Sequence, residues 1–215
     1  MSKQVYSIVL DDEIIKEIDR CAMQNNTSRS NMINRILAEY VNLPTAETII
    51  NEIFSSINSF MQTNDSLAVQ LLGNGSLINV KSALKYRYNP SVKYTVEIYE
   101  NSDYLGNIRI TMRSQNETLI SILNHFFAVW GYIENKYAGV DEKEYEFSNG
   151  KYIRLLRFPT VRGNENIGNI IASYVEILDG CMKVFFGDYS RSPALAEQNT
   201  EKAYLKYMTK NIAKL

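Results

Sequence analysis

The residues with the clearest capacity for chemistry are basic side chains on a predicted antiparallel sheet. Segments 78–88, 92–99 and 105–113 alternate between apolar and polar residues, and turn signals separate them. The face opposite the apolar residues carries Lys81, Lys85, Arg87, Lys93, Arg109 and Arg113, with Glu97 among them. This face is a candidate secondary anion or nucleic-acid surface, formed by Lys85, Arg87, Lys93, Arg109 and Arg113. The alternative is a solvated face of a sheet that buries only its other side.

Catalytic and metal-binding patterns are not found in the sequence. It has no nucleophile elbow, no phosphate-cradling loop with its lysine, and no paired carboxylates at a readable spacing. His125 is the only histidine, and Cys21 and Cys181 lie far apart, outside any paired motif. We therefore predict no metal site, no cofactor and no enzymatic activity, although the sequence leaves a purely carboxylate-based mechanism open.

The first forty residues predict a strand followed by two amphipathic helices. Residues 3–10 alternate, so that Tyr6, Ile8 and Leu10 share one face. Acidic residues 11–13 favour a helix start, and the apolar stripe of that helix is Ile14, Ile15, Ile18, Cys21 and Ala22. Ser28 is a suitable N-cap for a second helix, whose apolar face is Met32, Ile33, Ile36, Leu37, Tyr40 and Val41.

A single strand has no partner for its backbone groups, so this segment predicts a homodimer. Two copies can pair their strands antiparallel and bury four helices beneath the resulting ribbon. This order of elements, with the polar turn TSRSNMI entering the second helix, resembles the ribbon-helix-helix superfamily of MetJ, Arc and CopG type repressors. The resemblance covers residues 1–44, about a fifth of the chain.

The resemblance implies which residues contact double-stranded DNA. In that family the ribbon enters the major groove, and its solvent-facing side chains read base edges. The matching positions in this chain are Lys3, Val5, Ser7 and Val9. The start of the second helix holds a phosphate through backbone N–H groups, and the matching positions are Ser28, Arg29, Ser30 and Asn31, with Arg29 adding charge.

The segment departs from the family in two respects. Val5 and Val9 stand where polar or basic readers are expected, so they can contact only thymine methyl groups. Residues 1–44 also contain five basic residues against six acidic ones, whereas a DNA-binding unit normally has a basic surface. The alternative is a unit kept only for dimerisation.

The rest of the chain, residues 45–215, is predicted to be an α+β domain with an antiparallel sheet. A helix near 46–61 precedes the three strands, and a helix over 116–137 follows them. A hairpin joins segments 145–147 and 152–158 through a turn at Asn149-Gly150. The remaining predictions are a helix over 165–178, a buried strand over 181–186 and a basic amphipathic helix over 201–215.

Composition describes a soluble globular protein in the cytoplasm. Apolar residues make up 45% and charged residues 22% of the chain, and the net charge is −1. The N-terminus has no apolar signal core, and no apolar run reaches the length of a membrane-spanning helix. Two unpaired cysteines fit a reducing compartment.

Together these observations predict a repressor-like transcriptional regulator that binds DNA as a homodimer or as a dimer of dimers. The C-terminal domain would bind a small-molecule or protein effector or pair dimers on adjacent sites. The alternative is an interaction protein, such as an antitoxin or a partition or conjugation accessory. In that case the N-terminal unit only dimerises, and the C-terminal domain binds a protein partner.

Overall fold

The computed structural model describes residues 4–64, 66–71, 77–84, 86, 89–100, 102–159, 166–208 and 215. The chain divides into two compact units, Met1–Asn51 and Glu52–Leu215, called here the N-terminal and the C-terminal unit. The described residues form a mixed α+β fold, as predicted from the sequence. Its helices are α1 (Asp12–Gln24), α2 (Arg29–Tyr40), α3 (Ala46–Met61), α4 (Glu117–Ala138), α5 (Ile167–Tyr189) and α6 (Pro193–Met208).

The C-terminal unit is built on one antiparallel six-stranded sheet. The strands are β1 (Leu67–Leu71), β2 (Leu77–Ala83), β3 (Ser91–Ile98), β4 (Gly106–Met112), β5 (Tyr145–Ser148) and β6 (Lys151–Leu156). Their order across the sheet is β1-β2-β3-β4-β6-β5. The β5–β6 hairpin turns at Asn149 and Gly150, which both have positive φ, as two-residue hairpin turns require. This turn confirms the sequence prediction.

Helices pack on one face of the sheet, called here the inner face. It carries fully buried apolar side chains such as Val80, Val96 and Ile110. The Tyr94 hydroxyl on β3 donates a hydrogen bond of 2.9 Å to Asp179 of α5, and the ring of Tyr152 on β6 stacks on Phe127 of α4. The alternation of β-strand side chains therefore leaves the other residues of each strand on the opposite, outer face.

A buried ion pair links the sheet to α4. The Arg154 Nε atom on β6 lies 3.1 Å from the Glu134 carboxylate, and both side chains are buried. The hydroxyls of Tyr152 and Tyr174 donate to the same carboxylate over 3.2 and 3.0 Å. A buried charge needs such partners because its desolvation is unfavourable. This network therefore fixes α4, α5 and β6 relative to one another.

Two glycines permit close approach between elements of this unit. A Cβ atom at Gly168 of α5 would collide with the Ile53 carbonyl oxygen and lie 2.7 Å from Cβ of Ser56 on α3. A Cβ atom at Gly131 of α4 would lie 2.6 Å from the ring of Tyr145 on β5. Gly168 therefore requires glycine, because the backbone of α3 cannot yield, whereas a side chain at Gly131 would require the Tyr145 ring to move.

Two sequence predictions need correction, and one strand was missed. The strand predicted at residues 3–10 is not formed in the single chain, where the first regular element is α1 and residues 4–11 pair with no strand; Lys3 lies outside the described residues. The strand predicted at 181–186 is wrong, because α5 continues through Gly180 to Tyr189. A short, mainly apolar run of six residues gives the same signal for a strand as for a turn and a half of helix. Strand β1 was not predicted.

Candidate nucleic-acid interface

The N-terminal unit is a helical hairpin around a very small core. Ile18 and Ala22 of α1 and Met32 of α2 are its buried residues, and Leu10, Cys21 and Ile33 pack against them in part. The predicted stripes of both helices contribute to this core. Other apolar side chains of the same stripes, Ile14, Ile36, Leu37 and Tyr40, are exposed. A single copy of the unit therefore buries only part of its apolar surface.

The start of α2 has the geometry predicted from the sequence. The Ser28 Oγ atom accepts a hydrogen bond of 3.2 Å from the backbone N–H of Asn31, which confirms Ser28 as the N-cap. Ser28, Arg29, Ser30 and Asn31 are all exposed. The N–H groups of the first helical turn lack intrahelical acceptors and lie at the positive end of the helix dipole. This turn can therefore accept an anion in solution.

Arg29 already has an acidic partner, which the sequence did not indicate. Its Nε and Nη2 atoms each donate to the Asp19 carboxylate of α1 over 2.6 Å. This bidentate hydrogen bonding lowers the pKa of Asp19 and raises the pKa of Arg29. Both side chains are largely solvent-exposed, so solvent screens the pair. In the single chain the charge of Arg29 is therefore balanced by Asp19.

The segment before α1 shows a graded exposure that follows the predicted alternation. Val5 and Val9 are 99% and 100% exposed, and Ser7 is exposed beside them. On the other face exposure falls from 79% at Tyr6 to 56% at Ile8, and Leu10 contacts the small core. The even-numbered side chains thus turn towards the helices as the segment approaches α1, while the odd-numbered ones stay in solvent.

The second candidate surface is the outer face of the sheet. Lys93 and Arg109 lie on it and are half-buried, whereas Arg113 is exposed just beyond β4. Lys85 and Arg87 lie outside the described residues. The sheet adds Lys151, which sequence reasoning did not place here, because β6 pairs with β4 across a gap of nearly forty residues. The alternation of the sequence KYIRLL could have indicated this position, because it puts Lys151 on the side of the strand opposite Tyr152 and Arg154.

His125 is held between helices by two polar contacts. Its Nε2 atom lies 2.9 Å from Glu197 of α6, and its Nδ1 atom lies 3.2 Å from the Tyr189 hydroxyl of α5. Both contacts join side chains that the sequence separates by more than sixty residues, so they link three helices of the C-terminal unit. Among the described residues no group of three or more His, Cys, Asp or Glu side chains is arranged to hold a metal ion.

A scan against protein-family models found no match, and searches of the curated proteins and of the solved structures found none. No helix within the described ranges is long and apolar enough to cross a membrane.

Proposed function

We propose that this protein is a homodimeric DNA-binding regulator whose N-terminal unit acts as a ribbon-helix-helix module. Residues 3–10 of two copies pair as antiparallel strands, and the two helical hairpins pack beneath this ribbon. The exposed odd-numbered side chains of the ribbon enter the major groove and read base edges, and the start of α2 holds a phosphate of the DNA backbone. The C-terminal unit follows as a separate α+β body.

The observation that carries this proposal is the distribution of exposed apolar side chains. Among the described residues, eleven of the sixteen exposed large hydrophobic side chains lie between Val5 and Leu43. A soluble protein rarely exposes so many apolar side chains in so short a segment unless a partner covers them. A second copy supplies both the apolar surface and the strand edge that the segment lacks, since a two-fold interface is self-complementary.

The graded exposure of residues 5–10 supports the orientation of the ribbon. In a paired ribbon, Tyr6, Ile8 and Leu10 face the helices, and Val5, Ser7 and Val9 face away from them. The single chain already has Leu10 on its small core and Val5 and Val9 in solvent. Dimerisation then needs pairing of the backbone rather than rotation of the segment, because side-chain alternation sets both faces at once.

A matched pair of substitutions tests the dimer. Ile8→Asp places a charge in the proposed interface, so sedimentation equilibrium should show monomers where the wild type is dimeric. Val9→Asp adds the same charge to the other face of the ribbon and should leave the dimer intact. A wild-type monomer, or equal behaviour of the two variants, would contradict the proposed ribbon.

DNA binding is tested with the promoter of the protein's own gene and a scrambled duplex, over a series of salt concentrations. We expect preference for the promoter and a salt slope that reports several released counterions. Ser7→Ala should change which sequence is preferred, because Ser7 is the one described ribbon reader with a hydrogen-bonding side chain. Equal, weak binding to both duplexes that vanishes with salt would overturn sequence-specific recognition.

The Arg29–Asp19 ion pair provides a test of phosphate binding at α2. Asp19→Asn leaves Arg29 without its acidic partner, so affinity should rise on both duplexes and the salt slope should steepen by about 0.9 per chain. Arg29→Ala should weaken binding to both duplexes alike. If neither substitution changes the affinity or the slope, α2 does not dock on the DNA backbone.

The same ion pair supports a second candidate function, a dimerisation module whose C-terminal unit binds a protein partner. In the single chain two of the basic side chains of the N-terminal unit, Arg20 and Arg29, are neutralised by Glu17 and Asp19. Such neutralisation weakens the attraction to DNA phosphates. Co-purification of a stable protein partner from the native host, without retention of DNA, would favour this function over the first.

A further inference from the structure

Strand pairing brings four basic residues together on the outer face of the sheet. Lys81 of β2 lies directly opposite Lys93 of β3, and Lys93 lies opposite Thr111 of β4, which in turn lies opposite Lys151 of β6. Arg109 occupies the next row, opposite Thr95. Neighbouring strands are about 4.8 Å apart, so the row from Lys81 to Lys151 is about 14 Å wide. We call the four residues Lys81, Lys93, Lys151 and Arg109 the basic row, although Arg109 lies one row away from the three lysines.

The charges of the basic row are not balanced within the described part of the chain. Elsewhere in the C-terminal unit, ion pairs hold the basic side chains Lys136, Arg154, Arg157, Lys183 and Arg191. No described acidic side chain pairs with the basic row, and Nε of Arg109 is buried without a hydrogen-bond partner. The acids on this face are Glu97, which accepts from Asn107 over 2.9 Å, and Glu146 on the edge strand β5.

The arrangement also contains an unfavourable pair. Like charges directly opposite each other on neighbouring strands destabilise a sheet. Lys81 and Lys93 form such a pair; in the next row of the same face the buried side chains of Asn79 and Thr95 lie opposite each other, and Thr95 donates to Asn79 over 2.8 Å. A ligand that carries negative charge would remove this repulsion between the two ammonium groups.

The shape and composition of the face indicate the class of ligand. No aromatic side chain lies in the two rows between β1 and β5 that contain Lys93 and Arg109, so these rows offer no ring on which an unpaired base could stack; Tyr99, which accepts a hydrogen bond from Asn107, lies further along the same face. The basic row crosses four adjacent strands instead of lining a cleft, whereas small ligands usually bind in concave pockets. A row about 14 Å wide matches several phosphates of a duplex, which carries one charge per about 3.4 Å along each strand.

We propose that the basic row binds the phosphate backbone of double-stranded DNA. The contacts are independent of base sequence, since lysine and arginine recognise phosphates by charge and the face offers no groove-reading element. This second DNA surface adds to the proposed function of the N-terminal unit but does not depend on it, because all four residues belong to the C-terminal unit. It gives that unit a role in affinity rather than in sequence preference.

The test compares two double substitutions in the full-length chain. Lys81→Gln with Lys93→Gln removes two charges from the basic row, and Lys143→Gln with Lys202→Gln removes two exposed charges elsewhere in the same unit. We expect the first variant to lose affinity for the promoter duplex and for the scrambled duplex by the same factor. This factor should be roughly tenfold per lost phosphate contact at 0.1 M salt. Its salt slope should fall by about 1.8 per chain, while the control keeps the wild-type slope.

Folding of the variants is checked through the fluorescence of Trp130, the single tryptophan, which is buried in the C-terminal unit. Removal of the Lys81–Lys93 repulsion should leave the melting temperature equal to or above that of the wild type. Lys151→Gln, an exposed substitution on β6, is the second variant and should lower the slope by about 0.9 per chain.

This inference is overturned if both basic-row variants bind DNA with the same salt slope as the control variant. It is also overturned if the wild-type protein does not bind DNA. The ribbon variants distinguish a failure of this inference from a failure of the proposed function. If Ile8→Asp and Ser7→Ala leave DNA binding unchanged while the basic-row variants weaken it, the ribbon model fails and the basic row stands. If only the ribbon variants change DNA binding, the opposite conclusion holds.

Discussion

The N-terminal and C-terminal units differ in how they bury apolar side chains. The core of the N-terminal unit contains three buried residues, Ile18, Ala22 and Met32. The C-terminal unit buries whole aromatic side chains, among them Phe126, Trp130 and Tyr152, and even the charged side chains of Glu134 and Arg154. Because burial of apolar area is the main favourable contribution to folding, the C-terminal unit has the contacts of an independent domain, whereas the N-terminal unit leaves much of its apolar surface exposed.

This contrast also separates the kinds of function that each unit can have. The exposed apolar side chains of the N-terminal unit suit association with a second copy, which would cover them in the proposed dimer. The outer face of the C-terminal sheet is polar and positively charged, so it suits contact with a hydrated polyanion.

The largest effect is expected for the buried ion pair of the C-terminal unit. Arg154→Leu leaves Glu134 buried without its cationic partner, which should lower the free energy of unfolding by about 3–5 kcal/mol. Urea denaturation followed by Trp130 fluorescence measures this change. The double variant Glu134→Leu with Arg154→Leu should recover much of the loss, since an apolar pair removes both charges. A single variant as stable as the wild type would show that the pair is not buried.

The second prediction concerns the dependence of each unit on protein concentration. A 100-fold dilution should destabilise the N-terminal unit by about 2.7 kcal/mol if its fold depends on dimerisation. Thermal melting followed by far-ultraviolet circular dichroism should therefore show an early transition of α1 and α2 that shifts with concentration. The Trp130 signal should not shift. A concentration-independent early transition would contradict the need for a partner.

Two glycines of α5 provide the third prediction. Gly168→Ala places a Cβ against the Ile53 carbonyl oxygen, so overpacking of about 1–3 kcal/mol should exceed the gain in helix propensity of about 1 kcal/mol. Gly187→Ala meets no atom within 4 Å and should stabilise the same helix. Opposite changes in the urea midpoint confirm the prediction. Equal changes would mean that α3 and α5 do not approach as closely as described.

The N-cap of α2 gives a smaller effect in the N-terminal unit. Ser28→Ala removes the acceptor for the Asn31 N–H group and should destabilise α2 by about 1 kcal/mol. The concentration-dependent transition should move to lower temperature, while the Trp130 transition remains in place. Ser28→Asp, which retains an acceptor, is the control and should preserve the helix.

The smallest effect is a change of stability with pH in the C-terminal unit. The Arg157 guanidinium donates to Glu144 over 2.7 Å and is the main cause that lowers the pKa of this carboxyl below its usual value of 4.5. Glu144 therefore contributes stability above that usual pKa, and the contribution is lost as pH falls through the lowered folded-state pKa. Urea midpoints of the Trp130 transition should fall with pH in this window. Arg157→Gln should make the urea midpoint depend less steeply on pH, because Glu144 then lacks its cationic partner.

Local patterns were sufficient to predict much of the fold. The periodicity of Ile18, Ala22 and Met32 identified α1 and α2, the hydroxyl of Ser28 identified the start of α2, and Asn149-Gly150 identified the hairpin turn. Each of these signals depends on residues a few positions apart. The segment 181–186 could not be assigned correctly, because so short and mainly apolar a run is compatible with a strand as well as with a helix, and its helical spacing appears only together with the preceding residues of α5.

The candidate sites were predictable only in part. The sequence identified Arg29 as exposed and basic, but not its ion pair with Asp19, which depends on the angle between two helices. It placed Lys93 and Arg109 on one face, but not Lys151 beside them, because that contact depends on the pairing of β4 with β6. Contacts between distant segments follow from the topology of the sheet, which local alternation does not specify.

The amphipathic helices and the five strands β2 to β6 could be predicted from short stretches of sequence. These features arise from the side-chain spacing and capping that each short segment carries. Only the tertiary structure decided that Glu134 meets Arg154 in the core, and that Lys81, Lys93 and Lys151 form one basic row. Such contacts join residues that are distant along the chain, so their free energies exist only once the sheet and its helices are packed together.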